Sequence, residues 1–362
     1  MHDKSRNTYI DLLRIAATFG VIILHTAASR WDDTPVNTFN WQIMNLYDSL
    51  VRFAVPVFVL ISGVFHLRPN KTGITLKEEM RIIYKKIFRI LCALIFWSVI
   101  YAGLNMAAKY FIKNEPITLY NIIKIPGEIL LEPAFYHLWF LYMIIGLYLL
   151  TPILRIFVNN CERKYIEYIL ILFFIIGTCI PLINAFLNIY SVFSGRTIFF
   201  NVVELTGYMG YYIAGYYFAN NKLKNRTIIS IYMLAAFSLL FTIIGTSIIS
   251  ICKNEPRDEL YGYLMPNTMF VAYGAFIFFK RKYENFNFSE KAIKIISKIS
   301  KDTFGIYLIH ALVLLIFSTI GINTLIINPV ITIPIISIMV MAISEMGTII
   351  INKIPILNKY II

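Results

Sequence analysis

Three ionisable residues interrupt one apolar stretch, DLLRIAATFGVIILH, at Asp11, Arg14 and His25. On an α-helix each residue turns by about 100°, so the steps from Arg14 to His25 amount to three turns plus about 20°. The two side chains therefore share a face. Asp11 falls about 40° from the same stripe, and Thr18 lies on it. A rise of about 1.5 Å per residue sets Arg14 and His25 about 16 Å apart and Asp11 and His25 about 21 Å apart. An Asp-His dyad within the helix is excluded, whereas Asp11 and Arg14, at i and i+3, can pair. Histidine titrates near neutral pH and arginine holds a permanent charge. A charge facing lipid costs at least about 2.5 kcal/mol near the middle of a membrane helix, so such residues usually face a bundle interior or a wet cavity. Taken alone, the stripe is equally compatible with an arginine that snorkels to phosphate and a histidine that caps the opposite interface.

Further polar residues lie in other apolar stretches. In DSLVRFAVPVFVLISG, Asp48 and Arg52 are spaced to pair at i and i+4, and Pro56 removes a backbone hydrogen bond, which would open carbonyls near Ser62 and Gly63. The stretch AFYHLWFLYMIIGLYLLTPILR opens with His137 and Trp139, which places His137 at nearly the depth of His25, although a tryptophan there also suits an interfacial belt. His310, in TFGIYLIH, is expected about 10 Å in from the cytoplasmic surface, counting helical rise from residue 304. Glu204 and Glu345 also fall in apolar segments and need polar partners. In RIIYKKIFRI, Arg81, Lys85 and Arg89 recur every fourth residue and form a basic ridge, either an anchor at the inner surface or a phosphate-binding feature.

The elements that must carry these residues are membrane helices. The chain of 362 residues is 58% hydrophobic and only 15% charged, with a mean hydropathy of +0.69, well outside the range of soluble domains. Apolar segments at about 9–28, 48–67, 89–108, 135–154, 165–187, 199–219, 227–251, 263–279, 304–321 and 330–351 each approach the roughly 20 residues needed to cross a bilayer. The expected fold is all-α: a polytopic membrane protein with ten transmembrane helices in a single integral domain, residues 1–362. With the N-terminus inside, the inner segments hold 24 of the 33 lysines and arginines and the outer loops 7, which predicts cytoplasmic N- and C-termini. The same asymmetry accounts for most of the +13 charge without invoking nucleic acid. Ile15 to Leu24 resembles a signal-peptide core, but an uncleaved first helix preserves the charge alternation. Cys92, Cys161, Cys179 and Cys252 are scattered, so neither a zinc site nor any other metal site is expected. No phosphate-binding glycine loop supports ATP-driven work.

The ordered set of motifs resembles the membrane acyltransferase 3 family: D-x-x-R-x10-H with Asp11, Arg14 and His25; RFAVPVFVLISG; KKIFRI; HLWFLYMIIGLYLLTPIL; GYYIAGYYFAN; and FGIYLIH. The resemblance spans essentially the whole chain and is to the stand-alone form, with no appended hydrolase-like or racemase domain. KKIFR is less arginine-rich than the corresponding run of many relatives. The resemblance implies transfer of an acyl group, usually acetyl, from cytoplasmic acetyl-CoA (acyl-CoA) to a hydroxyl or amino group of a cell-surface or lipid-linked glycan, in the bacterial cell membrane. No permanently bound cofactor is implied; acyl-CoA, the glycan acceptor and the bilayer are the partners. It implies His25 as general base or acyl carrier, Arg14 as the residue orienting the donor, and Asp11 as the group holding Arg14. Arg52, Ser62, Lys85, Arg89, His137, Trp139 and His310 are the candidate substrate-binding residues. A secondary transporter or glycan exporter without thioester chemistry would also use ten helices and a polar stripe, but no internal repeat of the transporter kind is evident.

Overall fold

A computed structural model describes residues 8–69, 75–113, 132–189 and 200–362, with a few residues between 116 and 129. All regular structure among them is helical: α1 (Thr8–Ala28), α2 (Phe39–Val51), α3 (Ala54–His66), α4 (Leu76–Lys113), α5 (Trp139–Asn160), α6 (Arg163–Phe174), α7 (Ile180–Ile189), α8 (Phe200–Asn220), α9 (Asn225–Lys253), α10 (Pro266–Tyr283), α11 (Glu290–Thr319), α12 (Pro329–Asn352) and α13 (Pro355–Tyr360). The protein is an all-α polytopic membrane protein, as the sequence leads one to expect. Nine stretches among the described residues are long and apolar enough to cross a bilayer. In addition, α8 occupies the place of the sixth expected segment, 199–219. The pairs α2–α3 and α6–α7 each form one such stretch, Phe39–His66 and Arg163–Leu187, the latter joined by a π-helical turn at Ile175–Cys179.

The interruption between α2 and α3 follows from Pro56, which has no N–H to offer the carbonyl of Arg52 four residues earlier. The helix breaks at Arg52 and Phe53. This corrects the expectation of open carbonyls near Ser62 and Gly63: the Ser62 carbonyl accepts a hydrogen bond from Nδ1 of His66 at 2.8 Å, and that of Gly63 accepts the Leu67 N–H. Two glycines bring α3 against α8. A Cβ at Gly63 would lie 1.8 Å from the carbonyl oxygen of Tyr212, and one at Gly215 would lie 1.9 Å from that of Leu60. Only a residue without a side chain allows backbones that close.

Helix α1 is the hub, packed against α2, α3, α10, α11 and α12. Helices α1, α4 and α11 run in the same direction. Asp11 meets Ser300 at one end, while at the other His25 meets His310 and the Tyr101 hydroxyl donates to the Leu308 carbonyl. These are called here the Asp11 end and the His25 end. The shared direction corrects the depth expected of His310. Helix α11 begins not with the apolar run at residue 304 but at Glu290, where the Ser289 side chain caps it by accepting the Ala292 N–H. His310 therefore lies about 30 Å along the helix, level with His25.

Candidate functional site

At the Asp11 end, the carboxylate of Asp11 is buried and accepts a hydrogen bond from the Ser300 hydroxyl at 2.6 Å. Arg14 Nη1 donates to the same hydroxyl at 3.2 Å and lies 3.7 Å from Asp11 Oδ1. The pairing expected from i, i+3 spacing is present, bridged by a serine from a helix nearly three hundred residues away. Thr18, on the same stripe, spends its hydroxyl on the Arg14 carbonyl at 2.9 Å, so it contributes nothing to an open site.

Arg14 lines a cavity of about 380 Å³ together with Lys86, Arg89, Lys301, His66, Ser62, Ser300 and Tyr148. Its mouth is cationic and hydroxyl-rich. Toward the His25 end it is lined by Phe58, Phe140 and Tyr307, whose rings follow one another at 6.0 Å and 5.9 Å. A wide, basic mouth and an aromatic neck are the features that suit a ligand with an anionic head and a slender tail.

At the His25 end, histidines from α1, from α11 and from the turn before α5 converge. The ring of His310 stacks on that of His25 at 5.4 Å and meets that of His137 at 5.2 Å. Tyr307 lies 5.4 Å from His137 and 5.8 Å from His310, and its hydroxyl donates to the His137 carbonyl. His137 and His310 are fully enclosed, with 2% and 0% of their surface exposed. Nδ1 of His310 lies 2.6 Å from the Tyr307 carbonyl. Among the described residues no group of three or more His, Cys, Asp or Glu side chains is placed to hold a metal ion.

A second cavity, of about 270 Å³, opens beyond His25 and is lined by Phe135, Tyr136, Ser29, Ala28, Ala311, Leu314 and Leu315. The Tyr136 ring lies 4.6 Å from that of His25. The two cavities thus approach the histidine cluster from opposite ends: Tyr307 lines the first and His25 the second, while His310, whose ring meets both of theirs, lines neither.

The remaining residues named from sequence lie elsewhere. Arg52 is paired with the buried Asp48, its Nη2 at 2.8 Å from Oδ2, and lies over the Tyr261 ring at 4.1 Å. It lines neither cavity. Trp139 stacks on Tyr263 at 5.5 Å, beside Arg52 rather than in the cavities. Lys85 does face Arg81 and Arg89 along one ridge, but that ridge, with Lys359 and Tyr360, lines a separate groove of about 1040 Å³. On α4 it is Lys86, with Arg89, that reaches the 380 Å³ cavity. Arg89 also donates to the main-chain oxygen of Ile362. Glu204 is exposed on α8 and Glu345 half-buried on α12; neither lines the two cavities. Ser300, Tyr307, Lys86, Tyr136 and His66 escaped the sequence reading. The Ser289 cap three residues before Ala292 was the available signal for the first two, because it extends α11 toward Asp11.

The model of an acyltransferase domain family, Acyl_transf_3, matches residues 7–345. No curated protein and no solved structure matches the chain significantly.

Proposed function

Because the chain belongs to the acyltransferase 3 family, whose model spans nearly all of it, we propose that this membrane acyltransferase takes its acyl group, usually acetyl, from cytoplasmic acyl-CoA. The acceptor is a hydroxyl or amino group of a cell-surface or lipid-linked glycan, and the location is the bacterial cell membrane. One observation carries this reading: a basic cavity and an aromatic-walled cavity approach one histidine cluster from opposite ends. CoA is too polar to cross a bilayer, but its thioester rides on a thin pantetheine arm. The phosphates would stay at the cationic mouth on Arg14, Lys86, Arg89 and Lys301, and the arm would follow Phe58, Phe140 and Tyr307 inward.

The acceptor would enter from the other side, where Phe135 and Tyr136 offer flat apolar faces of the kind that carry the C–H face of a sugar. His25 lines that cavity and acts as general base: it takes the hydroxyl proton as the oxygen attacks the acyl carbon. Asp11 and Ser300 hold Arg14 at the donor end. The separation of Arg14 from His25, about 16 Å by helical rise, is then the distance between the group that binds the donor and the group that activates the acceptor.

The test is steady release of free CoA thiol from acetyl-CoA by detergent-purified protein, with and without a glycan mixture, beside His25→Ala and Arg14→Ala. Loss of a general base lowers turnover roughly 10²- to 10⁴-fold. Release that depends on acceptor, His25 and Arg14 supports the reading. Folded protein that releases no thiol from several acyl-CoAs overturns it in favour of transport without thioester chemistry.

A further inference from the structure

We infer that His310 carries the acyl group between the two cavities, so that His310 receives it from the donor and His25 activates the acceptor that removes it. The inference rests on the acyl-CoA reading above and assigns a residue that reading leaves idle. His25 lines the acceptor-side cavity and not the donor-side one. A thioester arriving past Tyr307 meets His137 and His310, whose rings lie 5.4 and 5.8 Å from that of Tyr307, and of these two it is His310 that stacks on His25.

The hydrogen bonding of His310 fixes which atom reacts. A carbonyl oxygen only accepts, so Nδ1, 2.6 Å from the Tyr307 carbonyl, must hold the proton in the neutral ring, and Nε2 holds the lone pair. Nε2 is buried and has no hydrogen-bond partner among the described residues. Leaving a buried acceptor unsatisfied is costly and is rare in structures. A nucleophile kept free of partners accounts for it. Full burial of His310 would also keep water from an acyl-imidazole, which otherwise hydrolyses.

The steps balance. The Nε2 lone pair attacks the thioester carbonyl; the N–C bond forms as the C–S bond breaks, and CoA leaves as a thiolate that takes a proton from water at the cytoplasmic mouth. Because Nδ1 keeps its proton on the Tyr307 carbonyl, the carrier is an acylimidazolium, an activated acyl donor. The acceptor hydroxyl then gives its proton to His25 as its oxygen attacks the acyl carbon, and the N–C bond electrons return to Nε2. His25 releases its proton on the acceptor side. The sum is thioester plus alcohol giving ester plus thiol.

The experiment mixes purified protein with acetyl-CoA labelled in the acetyl group, without acceptor, and follows thiol release and protein-bound label in the first turnover. Up to one CoA per chain should be released, and peptide mapping should place hydroxylamine-sensitive label on the segment containing His310. With acceptor present, His25→Ala should discharge the label at least about a hundredfold more slowly than the unaltered protein, whereas His310→Gln should lose the burst. Label on the segment containing His25, a burst that survives His310→Gln, or glycan acetylation by a protein that never holds label without acceptor would each overturn the carrier while leaving the acyltransferase reading intact. Absence of thiol release from folded protein under every condition would remove both. The mapping uses unaltered protein, so a His310 variant that fails to fold does not decide the outcome.

Discussion

The imidazole of His310 stacks on that of His25, with centroids 5.4 Å apart and planes inclined by 24°, and the contact is set from the far end of the bundle. Ser300 of α11 receives Arg14 of α1. From there, ten residues of α11 and eleven of α1 rise about 15 and 16 Å and arrive together. Two parallel helices, joined by Ser300 near one end, thus present their histidines to each other near the other end.

Ser300 is therefore a positioning residue for Arg14. Its hydroxyl joins a carboxylate and a guanidinium, and hydrogen bonds to charged groups are each worth about 1.5–3 kcal/mol. Ser300→Ala should raise KM for acyl-CoA roughly ten- to hundredfold, by that range, with a smaller change in kcat. Ser300→Thr, which keeps the hydroxyl, should recover part of the loss. Equal effects of the two variants would show that the hydroxyl holds nothing.

Adjacent lysines on α4 should behave differently. Lys86 lines the donor-side cavity and Lys85 does not. Lys86→Ala removes an exposed cation from the proposed phosphate site, an effect of about 0.2–1 kcal/mol, so KM for acyl-CoA should rise up to several-fold and the rise should shrink at high salt. Lys85→Ala should leave KM within about twofold, the scatter usual for a surface change. A larger effect at Lys85 would move the phosphate site to the neighbouring groove.

The pair Asp48–Arg52 should report on stability rather than chemistry. Asp48 is 1% exposed and its side chain holds Arg52 through two contacts. Removing one partner of a buried pair costs about 3–5 kcal/mol because the other charge stays buried alone. Asp48→Ala should lower the thermal unfolding midpoint in detergent sharply, and Asp48→Leu with Arg52→Met should restore most of it. A double variant as unstable as the single one would show that the pair is needed for more than mutual neutralisation.

The sequence was most informative where the physics is local. Hydrophobic run lengths marked the helices, and i, i+3 and i, i+4 spacing anticipated the pairings of Asp11 with Arg14 and Asp48 with Arg52. It misled at α11, because the first turns, EKAIKIISKIS, are polar and amphipathic and hydropathy counts them as loop. Starting the count at residue 304 put His310 near the wrong face. Ser300 could not be assigned to Asp11 by any local rule, since the contact joins residues brought together only by packing of α1 on α11. Lys85 and Lys86 differ by about 100° around α4, a rotation whose reference direction only the folded bundle supplies.

The two cavities should answer to reagents from opposite sides of the membrane. Ser29 lines the cavity at the His25 end and Ser62 the one at the Asp11 end, and the charge count predicts that the Asp11 end faces the cytoplasm. With Cys92, Cys161, Cys179 and Cys252 replaced, Ser29→Cys in intact cells should react with an impermeant maleimide added outside. Ser62→Cys should react only in inverted vesicles, and acyl-CoA should slow that reaction because the proposed path of the arm runs past the residue. Reaction of both cysteines from one side would mean a single continuous opening and would remove the physical basis for separate donor and acceptor entries. Protection of Ser29→Cys but not Ser62→Cys by acyl-CoA would reverse the assignment of donor and acceptor to the two ends.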